Sequence, residues 1–164
     1  MRFSDRLKSY GRNESGATLV EFALVLPMLL LVFAVIVEGG RLFWSYQAAI
    51  SGVRDAARYL ARVAPGDICG SGGSVAGYQS TLEGIVRNRS NGSAIFPSGV
   101  TVTSVVPSHA CITGSYRGGQ VPVATVTANL QVTFPFADTF ALFGSPALAT
   151  ITTTVTDQNR IFGT

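Results

Sequence analysis

The feature that most constrains this chain is an unbroken apolar stretch near its start, residues 17–37, with the sequence ATLVEFALVLPMLLLVFAVIV. As an α-helix this stretch would measure about 31 Å, which is the thickness of the hydrocarbon core of a bilayer. A secretory signal peptide usually has a shorter apolar region that ends at a small-x-small cleavage site. The stretch here is longer and runs into Glu38-Gly39-Gly40-Arg41. The sequence therefore predicts a membrane-spanning helix rather than a cleaved signal of that kind.

The helix is predicted to continue beyond the membrane as an amphipathic segment. Its apolar positions recur at steps of three and four, which places them on one face; they are Leu42, Tyr46, Ala49, Val53, Ala57, Leu60 and Ala64. The charged residues fall on the other side, and they are Arg54, Asp55, Arg58 and Arg62. We interpret this charged side as a solvated face rather than a binding patch. Pro65-Gly66 is predicted to end the helix.

The last part of the chain changes to a period of two, which is typical of strands with one buried face. The clearest strand has inward positions Val126, Ala128, Leu130, Val132 and Phe134. A second is predicted around Val100, Val102 and Val106, and a third around Ala149, Ile151 and Val155. A short apolar connector, Ala137–Phe143, lies between the last two. Three strands with an apolar face need a cover, and the amphipathic half of the long helix is the obvious one.

These patterns predict an α+β fold in which a long N-terminal membrane-spanning helix continues into an amphipathic helix that packs on a small antiparallel β-sheet. Residues 1–16 form a basic leader with a net charge of +2, from four basic and two acidic residues. Residues 17–64 form the long helix, with the span at 17–37. Residues 65–93 form a Gly-rich linker with a short helix near 78–88, and residues 94–164 form a β-rich region.

The two cysteines, Cys69 and Cys111, are 42 positions apart, and this spacing excludes a CxxC redox or zinc motif. A disulfide between them fits an oxidising compartment, and two free buried thiols are the alternative. The basic leader favours an N-terminus in the cytoplasm. Charge and cysteines together predict that residues 38–164 lie outside the cytoplasm.

Composition excludes several functional classes. The chain has no basic patch with interleaved aromatic residues, so we expect no nucleic-acid partner. The chain has one histidine, two cysteines and no clustered carboxylates, and this set is too small for most metal sites. His109 lies near Cys111, but a disulfide would consume the thiol that a Cys–His pair needs. We therefore expect no enzyme activity, no cofactor, no metal and no small-molecule substrate; a small envelope enzyme is the alternative, which the missing catalytic groups disfavour.

Glu21 is the most informative residue, because a carboxylate inside an apolar run is costly and needs a partner. If the chain were cut after Gly16, the new N-terminus would be the ammonium of Ala17. That ammonium could neutralise Glu21 of a neighbouring subunit in an apolar bundle, or Glu21 of its own helix one turn away. The alternative is a carboxylate that reaches the headgroups from near the membrane surface.

The residues from Ser15 to Pro27, SGATLVEFALVLP, resemble the N-terminus of TadE-like and TadG-like proteins of tight-adherence (Tad/Flp) pilus systems. The segments Glu38–Leu42 and Ala56–Ala61 are similar to later parts of the same family, which more often carries Phe-Gly where this chain has Gly39-Gly40. The Thr-rich strand region resembles the family less specifically. TadG-like chains usually carry a large extra domain, so the TadE-like group is the better match.

The resemblance implies a minor pilin or pseudopilin that is a substrate of a prepilin peptidase, with cleavage between Gly16 and Ala17. It implies assembly roles for Glu21 and Phe22, and other pilin subunits and the membrane as partners. The implied location is the inner membrane, single-pass, with a periplasmic C-terminal domain that can enter an extracellular pilus. The alternative is an uncut single-pass anchor or assembly factor of the same system.

Overall fold

The computed structural model describes residues 15–116, 119–135 and 150–163. Its first element is a helix of 49 residues, α1 (Ser15–Val63). A short helix α2 (Ile68–Ser71), a 3-10 turn (Ala76–Tyr78) and helix α3 (Gln79–Arg87) follow. Helix α3 lies within residues 78–88, where the sequence predicts a short helix. Most of the leader, the connector Ala137–Phe143 and Ala149 of the third predicted strand lie outside the described residues.

The three predicted strands are present as β1 (Val100–Ile112), β2 (Val121–Thr133) and β3 (Thr150–Arg160). They form an antiparallel sheet in the order β1-β2-β3. This arrangement and the long apolar helix confirm the α+β fold. The chain divides into two units between Gly39 and Gly40, and the sheet belongs to the second.

The second unit has one hydrophobic core, to which α1, α3 and all three strands contribute. The α1 side of this core is rich in alanine, and its fully buried members are Ala49, Val53, Ala56, Ala57, Leu60 and Ala64. Small side chains let neighbouring elements approach closely. A Cβ on Gly52 would lie 3.2 Å from the backbone of Val86 in α3, so glycine at this position lets α1 and α3 pack closely.

The buried face of β2 has the register expected from the sequence as far as Val132, whereas Phe134 lies beyond the end of the strand and is half-buried. Val126, Ala128, Leu130 and Val132 are buried, whereas Gln131 is exposed. The opposite face carries a polar ladder that crosses the sheet: the Asn129 amide donates to Ser104 Oγ at 2.9 Å, and Thr154 Oγ1 donates to Asn129 Oδ1 at 2.7 Å. These bonds link all three strands at one level.

Two positions depart from the predicted faces. Tyr46 was expected on the buried face of α1, but Ser45 takes that place and Tyr46 remains 39% exposed. The Ser45 hydroxyl donates 2.8 Å to the carbonyl oxygen of Arg41, which satisfies this buried polar group within the helix. A hydroxyl that bonds back to its own helix can therefore occupy a position that the apolar pattern assigned to its neighbour.

The second departure is Val106, which is exposed, whereas Val105 is fully buried. The pairing register shifts between Val102 and Ser104, which face Leu130 and Asn129, so Thr103 is an extra residue in β1. An extra residue of this kind is a β-bulge, and beyond it the alternation changes faces. The prediction for Val106 was wrong because simple alternation has no place for a bulge.

Candidate functional site

The first candidate site is the N-terminal part of α1, whose large apolar side chains are exposed. Leu19, Leu24 and Met28 each expose more than 70% of their surface. The helix is long and apolar enough to cross a membrane, with a window of mean hydropathy 2.8. Exposed apolar surface on this scale requires lipid or other apolar helices around it. The chain thus carries a candidate single-pass membrane anchor.

Glu21 and Phe22 lie on this apolar surface of α1, and both are exposed. Glu21 is the only charged residue between Ser15 and Val37. Its position four residues after Ala17 places the two on the same side of the helix, about 6 Å apart along its axis. The carboxylate therefore projects from an apolar surface toward whatever surrounds the helix.

The junction Gly16-Ala17 is helical and lies at the start of the described part of α1. A Cβ added to Gly16 would meet nothing within 4 Å. Packing in this structure therefore gives no reason for glycine at position 16, and a requirement for it would have to come from a binding partner.

The two cysteines form a disulfide, with Cys69 and Cys111 at a Cα–Cα distance of 5.8 Å. It joins α2 to the end of β1. Cys69 packs against the core, whereas Cys111 is exposed. The bond ties the segment between helix and sheet to the sheet itself, which is a structural role.

A contact that the sequence reasoning missed joins α1 to the loop before β1. The Arg41 guanidinium donates a 2.5 Å hydrogen bond to the carbonyl oxygen of Ser98. The same helical turn exposes Phe43 and Trp44, which were also missed. Their position just after a membrane-length apolar run was the available signal, because aromatic residues are enriched where a helix leaves the bilayer.

An open groove of about 650 Å³ lies between α1 and α3, with the loop after α3 as its third wall. Its lining is mostly small or polar, and Asp55 and Arg89 are the charged residues in it. Among the residues that the structure describes, no three His, Cys, Asp or Glu side chains come together as metal ligands. The groove has no arrangement of groups that would support a specific reaction.

A protein-family model described as "TadE-like protein" matches residues 16–58. The matched segment begins at Gly16 and contains the apolar run, Glu21 and most of the amphipathic half of α1. No curated protein and no solved structure gave a significant match.

Proposed function

We propose that this chain, which is TadE-like over residues 16–58 and so related to Tad pilus proteins, is a minor pilin or pseudopilin of a tight-adherence pilus system. In this proposal a prepilin peptidase removes the leader between Gly16 and Ala17. The mature protein is a structural subunit rather than an enzyme. Its partners are the membrane and other pilin subunits of the same system.

The observation that carries the proposal is the position of Glu21. It is the single charge in an exposed apolar surface, and it lies four residues from the residue that would become the N-terminus. A charge near the centre of a bilayer costs about 2.5–3.5 kcal/mol, and less toward the surface. A neighbouring subunit's Ala17 ammonium would offset this cost, because two opposite charges attract strongly in an apolar bundle. Phe22 would contact the same neighbour beside the ion pair.

The proposed location is the inner membrane, with the N-terminus in the cytoplasm and the sheet domain in the periplasm. The disulfide supports this orientation, since such bonds persist in oxidising compartments. A reporter that is active only in the periplasm, fused after Thr164, is expected to be active. Activity of a cytoplasmic reporter at the same position would contradict the orientation.

The processing step is tested by the mass of the protein isolated from cells, which is expected to begin at Ala17. Gly16→Val is expected to keep the leader, because a β-branched side chain blocks the close backbone approach that a peptidase needs. Gly16→Ala is the matched control. The Cβ that both variants add would meet nothing within 4 Å in this structure, so a difference between them is expected to report recognition by the peptidase rather than folding.

The assembly step is tested by moving the carboxylate. Glu21→Gln and Glu21→Leu are expected to insert in the membrane, with cleavage retained or slowed, and to fail in piliation. The double variant Glu21→Leu with Val25→Glu keeps one carboxylate on the same exposed side, one turn further from Ala17. It is also expected to fail. Normal pili on cells that carry Glu21→Leu would rule out a required ion pair at this position.

A second candidate function is an uncut anchor or assembly factor. The conformation of the junction favours it, because the Gly16-Ala17 bond lies within α1 and is helical. An extended substrate would require this turn to open. Wild-type protein that begins at Met1 in piliated cells would establish the uncut form and exclude the processed pilin.

A further inference from the structure

Three aromatic side chains are exposed within one turn of α1. Phe43 exposes 67% of its surface, Trp44 51% and Tyr46 39%. Between them Ser45 is buried, and Leu42 packs against the core. One side of this helical turn therefore packs against the domain, and the remaining sides expose large aromatic rings. Exposed aromatic clusters of this kind require an apolar or amphipathic partner.

The distribution of these rings around the helix argues against a partner helix. At 100° per residue, Phe43, Trp44 and Tyr46 spread over about 160° of the helix circumference. A docked helix instead contacts a narrow stripe that recurs after three, four and seven residues. The positions that would continue such a stripe from Trp44 are Gln47, Ala48 and Ser51, which are polar or small. The aromatic surface is thus wide around the helix and only one turn deep.

The chemistry of the rings fits a layer that is part apolar and part wet. Trp and Tyr combine an apolar body with one hydrogen-bonding group, and they concentrate where membrane meets water. Trp44 follows Val37, the last residue of the apolar run, by seven positions, which is about 10 Å of helix. Helical side chains lean toward the N-terminus, so the rings lean back toward the apolar run.

We propose that Phe43, Trp44 and Tyr46 form an aromatic collar that binds the phospholipid headgroup layer and so sets the depth of the helix in the membrane. The collar requires that α1 spans the membrane, as the proposed function also does. It depends neither on cleavage nor on pilus assembly. Phe43 contributes apolar contact at the acyl boundary, and the Trp44 N–H and Tyr46 O–H meet lipid phosphate, carbonyl groups or water.

The test uses the full chain in vesicles of phosphatidylethanolamine and phosphatidylglycerol. Trp44 is the only tryptophan in the sequence, so intrinsic fluorescence reports this one position. Three vesicle batches carry a quenching spin label at the headgroup, at the top of the acyl chain or near its end. The two shallow labels are expected to quench Trp44 at least about twofold more than the deep label, as for an interfacial indole.

A matched control moves the probe along the helix. In Trp44→Phe with Arg54→Trp, the tryptophan sits ten residues further on, at a position that is exposed in the domain. It is expected to be quenched by aqueous acrylamide and by none of the lipid labels. Phe43→Trp with Trp44→Phe keeps the probe within the collar and is expected to reproduce the shallow quenching of the wild type.

Three results would overturn the collar. Strongest quenching by the deep label would place Trp44 in the hydrocarbon. Free access of acrylamide without lipid quenching would place it in water. Protection from both would indicate a protein partner, such as a second copy. Each of these results can be distinguished from a failure of the proposed function. Protein that begins at Met1 would contradict processing, but it would leave the depth of Trp44 measured by quenching unchanged. Protein that fails to float with the vesicles would overturn the span and the collar together.

Discussion

The backbone N–H of Phe162 donates a 2.8 Å hydrogen bond to the carbonyl oxygen of Ala61, in the last turn of α1. Next to it, Tyr78 Oη donates to the carbonyl oxygen of Val63 at 3.2 Å. Carbonyl groups in the last turn of a helix have no partner within the helix. Residues from two distant segments therefore complete the end of α1.

Gly163 is the residue that permits this contact. A Cβ at this position would collide with the backbone oxygen of Ala64, so Gly163→Ala is expected to displace the segment and lower the free energy of unfolding by about 1–3 kcal/mol. Denaturant unfolding of the full chain in detergent measures this change. Gly84→Ala is the control, because it lies within α3 with open space around it. It is expected to be neutral or stabilising by up to about 1 kcal/mol, and equal losses in the two variants would contradict this role for Gly163.

The disulfide is expected to contribute about 3–4 kcal/mol to stability by the loop-closure estimate for a separation of 42 residues. Cys69→Ser and Cys111→Ser should each lower the unfolding midpoint. The double variant should match the singles, because any one of these changes removes the whole bond. Additive losses would indicate that the sulfur atoms matter mainly through separate packing contacts.

The face assignment of β2 is tested by placing one charge on either side of the sheet. Leu130 is 1% exposed and Gln131 is exposed. Leu130→Asp should prevent accumulation of the folded domain, because it combines a cavity with an unpaired buried carboxylate and costs more than about 4 kcal/mol. Gln131→Asp should accumulate normally. Similar protease resistance of the two variants would refute the assignment.

The bulge in β1 has a test of the same form, in which the sequence pattern and the structure predict opposite results. Simple alternation from Val100 and Val102 makes Val106 the buried residue, whereas the structure buries Val105. Val105→Asp should therefore unfold the domain and Val106→Asp should be tolerated. The reverse outcome, measured by accumulation and protease resistance, would favour an unbroken strand.

The sequence predicted those features that depend on a long, regular period. The apolar run and the spacing from Ala49 to Ala64 were enough for α1, and the alternation from Val126 to Val132 was enough for β2. Tyr46 and Val106 were assigned wrongly for local reasons. Ser45 takes the core position expected for Tyr46, because its hydroxyl bonds to the carbonyl oxygen of Arg41 in the same helix. In β1 the bulge at Thr103 exchanges the buried and exposed faces of the residues that follow it. Neither the serine in the core nor the bulge alters the average hydropathy of its segment, so a periodic hydropathy pattern does not reveal either one.

Of the candidate site, the sequence could predict only those residues whose chemical role is evident without knowing their neighbours in space. Glu21 stands out in sequence because one carboxylate interrupts an apolar run, and no neighbour within the chain is needed to notice it. The contact between Arg41 and Ser98 joins residues 57 positions apart. Its geometry depends on where the sheet sits on the second half of α1, and a linear sequence does not hold that information.

The alanine-rich side of α1 also has a consequence for the order in which the protein is made. This face leaves the ribosome early, but the strand residues that cover it, Val126 and Leu130 among them, follow much later, and Ile161 is later still. Contacts of such long sequence separation form slowly. If α1 inserts first and the remainder crosses the membrane behind it, the core cannot close until β3 has arrived. In the proposed orientation, export would therefore deliver an unfolded domain, and a chain stalled before β3 would present this face to proteases and chaperones.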